Sequence, residues 1–212
     1  MESGAQTPLL NLAAYQPVTK ALGPGRRFAV WVQGCPFHCK GCIAPDWIPI
    51  QTANLFDPRC FAETTLQDPE LEGITISGGE PMLQAQALTL FLESIHTRHD
   101  LNVIVFSGFT YEHLLESPPN PYVPDFLKHI DVLIDGLYIE KLNNGKGLRG
   151  STNQRFHHLT GRLKDFDFEN MPRKVEVNLY DGEAFLVGVP NSQFLNAFQK
   201  AVEDTQKKFG EV

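Results

Sequence analysis

The stretch Trp31–Trp47 reads WVQGCPFHCKGCIAPDW and holds three of the four cysteines of the chain. Cys35, Cys39 and Cys42 follow the spacing C-x3-C-x2-C on what must be a short loop. Three thiols gathered so closely indicate a metal, a redox exchange centre or accident, and cysteine thiolates are ligands for zinc and for iron–sulfur clusters. This loop is therefore the element around which the rest of the chain is interpreted.

Zinc and iron–sulfur are the two alternatives for the loop. A closed structural zinc site takes four protein ligands from paired C-x2-4-C units, and the sequence contains no second pair. His38 could complete a Cys3His set, but it lies between Cys35 and Cys39, where its ring cannot easily turn to the same metal. A cubane usually takes four thiolates, so three cysteines leave one iron without a protein ligand. The iron–sulfur interpretation implies that a small chelating molecule completes the site.

A second motif ends an apolar run further along the chain, where Gly73–Pro81 reads GITISGGEP. Glycines at a strand end let the backbone come close to a ligand, and Pro81 suits the first turn of a following helix. A Gly-Gly-Glu sequence alone is a weak signal, since tight turns use the same residues. Its meaning comes from its position after the cysteine loop.

Together, the cysteine loop and the Gly-Gly-Glu-Pro strand end resemble the signature of the radical S-adenosylmethionine (SAM) enzymes. Residues 130–136 (IDVLIDG) and 148–155 (LRGSTNQR) are similar to the corresponding region of activating proteins of glycyl-radical enzymes such as anaerobic ribonucleotide reductase. The resemblance runs from about Phe28 to Arg155 and continues into the C-terminal hairpin. It implies an α/β fold, a partial (open) TIM-like barrel with parallel strands and the metal site at its top.

Hydrophobic patterning independently favours strands alternating with helices. Strands are expected at 28–32, 74–77, 101–106 and 132–134, with helices starting at Asp57-Pro58, Met82 and about Thr110. Such an order makes a right-handed parallel sheet the natural topology. A β-hairpin over 174–187 with Asp181-Gly182 at its turn, and a last helix capped by Asn191 or Ser192, complete the chain. Residues 1–27 are expected to be an N-terminal extension packing on the body, and 28–212 a single radical SAM domain.

Two features outside the motifs are assigned to the core. Cys60 is interpreted as a small buried hydrophobe rather than a fourth ligand, because another ligand would close the iron that must stay open. The last helix carries a largely apolar stripe, which is expected to be core rather than a partner surface. The stripe consists of Phe194, Phe198, Ala201, Thr205 and Phe209.

Composition limits the classes of partner. The chain of 212 residues, 42% of them hydrophobic, suits one well-buried domain. A formal net charge of −7 with dispersed basic residues argues against nucleic acid. The N-terminus lacks a secretory pattern, and no apolar run reaches the roughly 18 residues that a membrane span needs. Clustered thiols with one left over suit a reducing cytoplasm, so a cytoplasmic protein without a membrane partner is expected.

The resemblance implies the chemistry of the site. Thiolates of Cys35, Cys39 and Cys42 would hold a [4Fe-4S] cluster, whose fourth iron takes the amino and carboxylate groups of SAM. One electron then splits a carbon–sulfur bond and yields methionine and a 5′-deoxyadenosyl radical. No residue beyond the cluster ligands is expected to be catalytic, since the cofactors carry the chemistry.

The resemblance also implies which residues contact SAM. The methionine end is expected against Gly78, Gly79 and Glu80, with the Glu80 carboxylate facing the ammonium group. Gly41 and Ile43, which flank Cys42, are expected against the adenosyl part, although activating proteins tend to have an aromatic residue where Ile43 stands. The further candidates for cofactor contacts are Ser107, Asp135 and Asn153.

Three functions follow as hypotheses. The first is an activase that removes a hydrogen atom from a glycine of a partner glycyl-radical enzyme, with a flavodoxin- or ferredoxin-like electron donor. The second is a radical SAM enzyme acting on another peptide or a small molecule, for which Ile43 and the Pro-rich stretch 118–121 leave room. The third is a non-catalytic iron–sulfur or zinc protein.

Overall fold

The computed structural model describes residues 7–180 and 183–209. Strands alternate with helices between residues 54 and 135, as the sequence predicts. The elements are β1 (Leu10–Thr19), β2 (Arg27–Val32), β3 (Asn54–Phe56), α1 (Pro58–Thr65), β4 (Gly73–Gly78), α2 (Ala85–His96), β5 (Asn102–Ser107), α3 (Tyr111–Glu116), α4 (Val123–Leu127), β6 (Val132–Asp135), β7 (Arg155–His158), β8 (Val175–Tyr180), β9 (Glu183–Gly188) and α5 (Ser192–Phe209).

Seven strands form one sheet in the order β3-β1-β2-β4-β5-β6-β7. The four central strands, β2, β4, β5 and β6, run parallel in matched register, whereas β1 and β7 are antiparallel to their neighbours. The predicted α/β class with parallel strands is confirmed. The edge strands β3 and β7 do not pair with each other, so the sheet is open. Strands β8 and β9 form the predicted hairpin, whose turn at Asp181-Gly182 lies outside the described residues.

The central strands are buried on both faces, as parallel strands covered on two sides must be. In β2, Phe28, Val30 and Val32 belong to the core cluster that includes residues of α1, α2 and α4. The alternate residues Ala29 and Trp31 face a second cluster that contains Val187 of the C-terminal hairpin. Helices therefore cover one face of the sheet, and the C-terminal part of the chain covers the other.

Local signals place the helix starts where the sequence predicts them. The Asp57 carboxylate accepts hydrogen bonds from the backbone N–H groups of Arg59 (2.9 Å) and Cys60 (3.1 Å), and Pro58 occupies the first position of α1. This cap satisfies donors that the first helical turn leaves free. The helix predicted from Met82 begins instead as a 3-10 turn, Pro81–Gln84, and continues as α2.

Strand β1 is a feature that the sequence interpretation missed. It belongs to the stretch 1–27, of which the sequence predicts only that it packs on the body. In the structure, Leu10 and Leu12 are buried in the core, and β1 pairs with β2 on one side and β3 on the other. Its polar residues hide the strand, because a strand with one face toward water mixes buried side chains with exposed ones.

Two core assignments are wrong. Cys60 is exposed, because α1 turns Phe61 and Ala62 toward the core and Cys60 toward solvent. On α5, Ala201 and Thr205 are exposed, while Phe194 and Phe198 are half-buried and stack on each other with ring centroids 6.2 Å apart. The side chain of Phe209 lies outside what the structure describes. The stripe fails as core because the described part of α5 beyond its first turns faces solvent.

None of the helices in the described ranges is long and apolar enough to cross a membrane.

Candidate functional site

One cavity, of about 210 Å³, lies where the parallel strands end. Ligand sites gather at the carboxyl ends of parallel strands because the loops that follow them converge there. Cys35, Cys39 and Cys42 line it from the loop after β2, Gly78 and Gly79 from the end of β4, and further residues from the ends of β5 and β6. The tertiary structure thus brings the two sequence motifs to one place.

Backbone hydrogen bonds close the cysteine loop at its base. The N–H of Gly34 donates to the Trp47 carbonyl and that of Cys35 to the Ile48 carbonyl, each at 2.9 Å. The Gln33 side-chain amide donates to the Pro49 carbonyl at 2.8 Å. These contacts hold the segment between Cys35 and Trp47 as a closed loop, so its three thiols are presented from a fixed base.

The three thiols are free and half-buried. Burial has the largest effect on the pKa of both Cys35 and Cys39, and the backbone groups of Phe37 and Tyr138 oppose it. Burial raises the pKa of the Cys35 thiol to about 11 and shifts the pKa of Cys39 in the same direction. Such thiols become thiolates when a metal compensates the charge, since metal ligation displaces the proton.

The donor set fits a cluster better than a single ion. Within the described ranges, no group of three or more Cys, His, Asp or Glu side chains is arranged to hold one metal ion. The three thiols line one cavity, and thiolates are the ligands of a cubane, in which each thiolate binds a different iron. His38, which the zinc alternative needs, is exposed and does not line the cavity.

The two glycines after β4 are required by a close approach of backbones. A Cβ atom on Gly78 would lie 2.4 Å from the Val32 nitrogen, and one on Gly79 would lie 2.2 Å from the Gly34 oxygen. Gly78 also has a φ of +106°, which favours glycine. The Gly79 N–H donates to the Val32 carbonyl at 2.7 Å. The pair therefore joins the end of β4 to the segment that leads into the cysteine loop.

Glu80 is buried, and its carboxylate is occupied by groups of the protein. It accepts hydrogen bonds from the Ser107 hydroxyl (2.9 Å) and from the backbone N–H groups of Gly108 (2.7 Å) and Met82 (3.0 Å). Burial raises the pKa of Glu80 to about 7, an effect that the three hydrogen bonds oppose. The carboxylate lines the cavity, but its described contacts tie the end of β4 to the end of β5.

The other predicted SAM contacts divide into two groups. Gly41, Ile43 and Ser107 line the cavity together with the cysteines, whereas Asp135 and Asn153 are not among its described lining residues.

The contacts of the second group explain its position. The Asp135 carboxylate, which is fully buried, lies 2.5 Å from the Arg155 guanidinium and 3.0 Å from the His157 ring, and accepts a hydrogen bond from the Tyr111 N–H at 2.6 Å. Asn153 donates to the Leu137 carbonyl at 2.8 Å, while its Oδ1 is buried without a described partner.

Several lining residues were missed by the sequence interpretation. Trp47, which ends the quoted stretch, and Tyr138, which follows the predicted strand end at Asp135-Gly136, lie close to identified motifs and could have been found. Val189, Pro190 and Leu195 carry no local signal, since they reach the cavity from the other end of the chain.

The charge of the lining is distinctive. Among the described lining residues there is no Lys, Arg or His, and Glu80 is the single carboxylate. Phosphate groups are bound by cationic side chains or helix N-termini, so this lining does not suit a phosphorylated nucleotide. It suits a ligand with an apolar body and a positive or zwitterionic end.

Comparisons with known proteins agree with the interpretation of the three cysteines as iron–sulfur ligands. The family model described as "4Fe-4S single cluster domain" matches residues 21–157. An anaerobic ribonucleoside-triphosphate reductase-activating protein from Vibrio cholerae is 30% identical over 161 residues, which cover 71% of this chain and 99% of that protein. A protein of the same name from Haemophilus influenzae is 30% identical, and the match covers 70% of this chain and 97% of that protein. Another from Enterobacteria phage T4 is 26% identical, and the match covers 69% of this chain and 92% of that protein.

Proposed function

This chain belongs to the 4Fe-4S single cluster domain family, and from that premise we propose that it is a radical SAM activase of an anaerobic ribonucleotide reductase. The observation that carries the proposal is that the three cysteines and the Gly78-Gly79-Glu80 strand end line one cavity. The name shared by the relatives supports the choice of partner.

Cys35, Cys39 and Cys42 would hold the [4Fe-4S] cluster, and the cavity beside them would hold SAM. When bound, the reduced cluster supplies one electron that cleaves SAM to methionine and a 5′-deoxyadenosyl radical, which takes a hydrogen atom from the target glycine. A flavodoxin- or ferredoxin-like protein in the cytoplasm is the proposed source of that electron.

The protein's own residues position these groups. We assign the methionine end of SAM to the backbone of Gly78 and Gly79, because both line the cavity next to the cysteine loop. Glu80 and Ser107 hold this edge in place through their 2.9 Å hydrogen bond. Asp135 and Asn153 act from outside the lining: Asp135 orders the end of β6 through Arg155, and Asn153 holds the Leu137 carbonyl.

The apolar part of the lining would limit the water beside the reacting groups. Most of its exposed area is contributed by apolar atoms, among them those of Trp31, Trp47 and Phe106. Exclusion of water protects a reactive radical from side reactions.

We further infer that the open sheet curves around this cavity as the partial barrel that the sequence predicts. A site bordered by the strand ends and by the chain on the second face of the sheet supports this inference.

A radical assay tests the proposal. Anaerobically reconstituted and reduced protein is incubated with SAM and an anaerobic ribonucleotide reductase, and the product is examined by electron paramagnetic resonance. We expect a protein-borne glycyl radical that disappears in a Cys42→Ala variant and persists in the matched Cys60→Ser variant, since Cys60 is exposed on α1 away from the cavity lining. SAM cleavage without any glycyl radical would reject the activase role and leave a radical SAM enzyme with another substrate.

A further inference from the structure

The C-terminal arm, which comprises β8, β9 and α5, lies beyond the residues that the family model matches. It packs on the face of the sheet that the helices leave uncovered. Val187 is fully buried with Trp31 and Ala29 of β2. Val189 packs against that cluster and also against the cluster of Ile104, Val132 and Ile134. The arm therefore crosses the sheet from β2 toward β6.

Specific contacts fasten the arm to the body. The Glu176 carboxylate accepts hydrogen bonds from the Thr19 hydroxyl at 2.6 Å and from the Lys20 N–H at 2.8 Å. The Phe185 ring packs edge-on against Trp31, with centroids 5.4 Å apart at 84°. These hydrogen bonds and this aromatic contact stabilise a hairpin that would be only marginally stable alone.

The end of β9 carries the chain to the cavity. Gly188, Val189, Pro190 and Leu195 line it together with the three cysteines. The Asn191 side chain accepts a hydrogen bond from the Phe194 N–H at 2.8 Å and so starts α5 at this point. The cap sets the direction of the first helical turn, and that turn brings Leu195 into the lining.

We propose that Val189 and Leu195 of the C-terminal arm form the surface that contacts the adenosyl group of SAM. This inference rests on the proposed function, because SAM held at the cluster by its methionine end must extend its adenosyl end within the same cavity. A nucleoside without phosphate binds to an apolar surface and does not need a cationic side chain. The described lining is largely apolar and contains no Lys, Arg or His. Val189 and Leu195 are thus specificity residues that lie outside the shared family domain.

Binding measurements on two ligands test this assignment. Leu195→Asp places a charge in the apolar wall, and Leu195→Ala removes most of the side chain more gently. Dissociation constants for SAM and for methionine, which lacks the adenosyl group, are measured by calorimetry on cluster-loaded protein under anaerobic conditions. We expect the affinity for SAM to fall roughly tenfold in Leu195→Asp and by several-fold in Leu195→Ala, because each variant loses one apolar contact. The affinity for methionine should stay unchanged in both variants.

The control is Leu179→Asp, because Leu179 lies on β8 of the same arm and is 76% exposed. It should change neither affinity. If Leu195→Asp left the SAM affinity unchanged, or weakened SAM and methionine equally, the assignment would be overturned. An unchanged SAM affinity with a raised KM for the reductase would instead place the partner's glycine segment on this wall. Failure of the unmodified protein to bind SAM would reject the proposed function itself.

Discussion

The Glu80 carboxylate, just beyond the end of β4, accepts a 2.9 Å hydrogen bond from the hydroxyl of Ser107, the last residue of β5. Both residues line the cavity that the three cysteines share. The bond joins two parallel strands at the edge where the cofactors are proposed to bind. Because Glu80 is almost fully buried, this link depends on pH as well as on geometry.

The first prediction concerns that pH dependence. Folding raises the pKa of Glu80 from 4.5 to about 7 through burial. The folded state then holds the proton more tightly, so the contribution of Glu80 to stability is fully present below pH 4.5 and is lost as the pH rises through 7. The loss amounts to about 3 kcal/mol. Denaturant unfolding between pH 4.5 and 8 should show this decline in the unmodified protein and a flatter profile in Glu80→Gln. Parallel profiles for the two proteins would contradict the prediction.

The second prediction concerns the cluster ligands. Replacing Cys35, Cys39 or Cys42 by alanine removes one of three thiolates and should abolish most cluster binding after anaerobic reconstitution. Iron and sulfide analysis together with electron paramagnetic resonance provides the measurement. Cys60→Ser is the matched control and should keep the full iron content, because Cys60 is exposed on α1. A loss of iron in the control equal to that in the other variants would show that Cys60 is a ligand.

The third prediction concerns the close approach of Gly79 to Gly34. A Cβ atom at Gly79 would lie 2.2 Å from the Gly34 oxygen, so Gly79→Ala must push the end of β4 away from the cysteine loop. We expect a destabilisation of about 1–3 kcal/mol, typical of overpacking, together with weaker cluster retention. Gly161→Ala is the control, since its Cβ would meet nothing within 4 Å and should change stability by under about 0.5 kcal/mol. Equal unfolding free energies for the two variants would refute the steric account.

The fourth prediction concerns the ion pair at the end of β6. Asp135 is fully buried, and Arg155 lies 2.5 Å from it while also pairing with Glu112. Arg155→Met leaves a buried carboxylate with fewer partners and should cost about 3 kcal/mol in unfolding free energy. Arg98→Met removes an exposed pair with Glu63 and should cost under about 1 kcal/mol. Similar losses in both variants would mean that burial does not set the strength of the Asp135 pair.

The patterns that lie within short stretches of chain were readable before the structure. The cysteine spacing, the apolar strands β2, β4, β5 and β6, and the Asp57-Pro58 helix start depend on residues close in sequence, and the structure confirms the strands and the helix start. Strand β1 escaped detection, because several of its residues are polar and exposed or only half-buried. The sequence suggested the Gly78-Gly79 motif as a ligand contact, but not that a neighbouring backbone lies where the side chains would be.

The sequence by itself identified the cysteine loop and the glycine-rich strand end as the candidate site, because three thiols within eight residues and two glycines at the end of an apolar run are local patterns. Only the tertiary structure decided what surrounds them. Glu80 and Asp135 proved to be held by protein donors, Cys60 proved to be exposed, and Val189 and Leu195 reached the cavity from the far end of the chain. Burial and contacts between distant segments depend on how helices and strands pack, and packing is a property of the whole chain rather than of any one stretch.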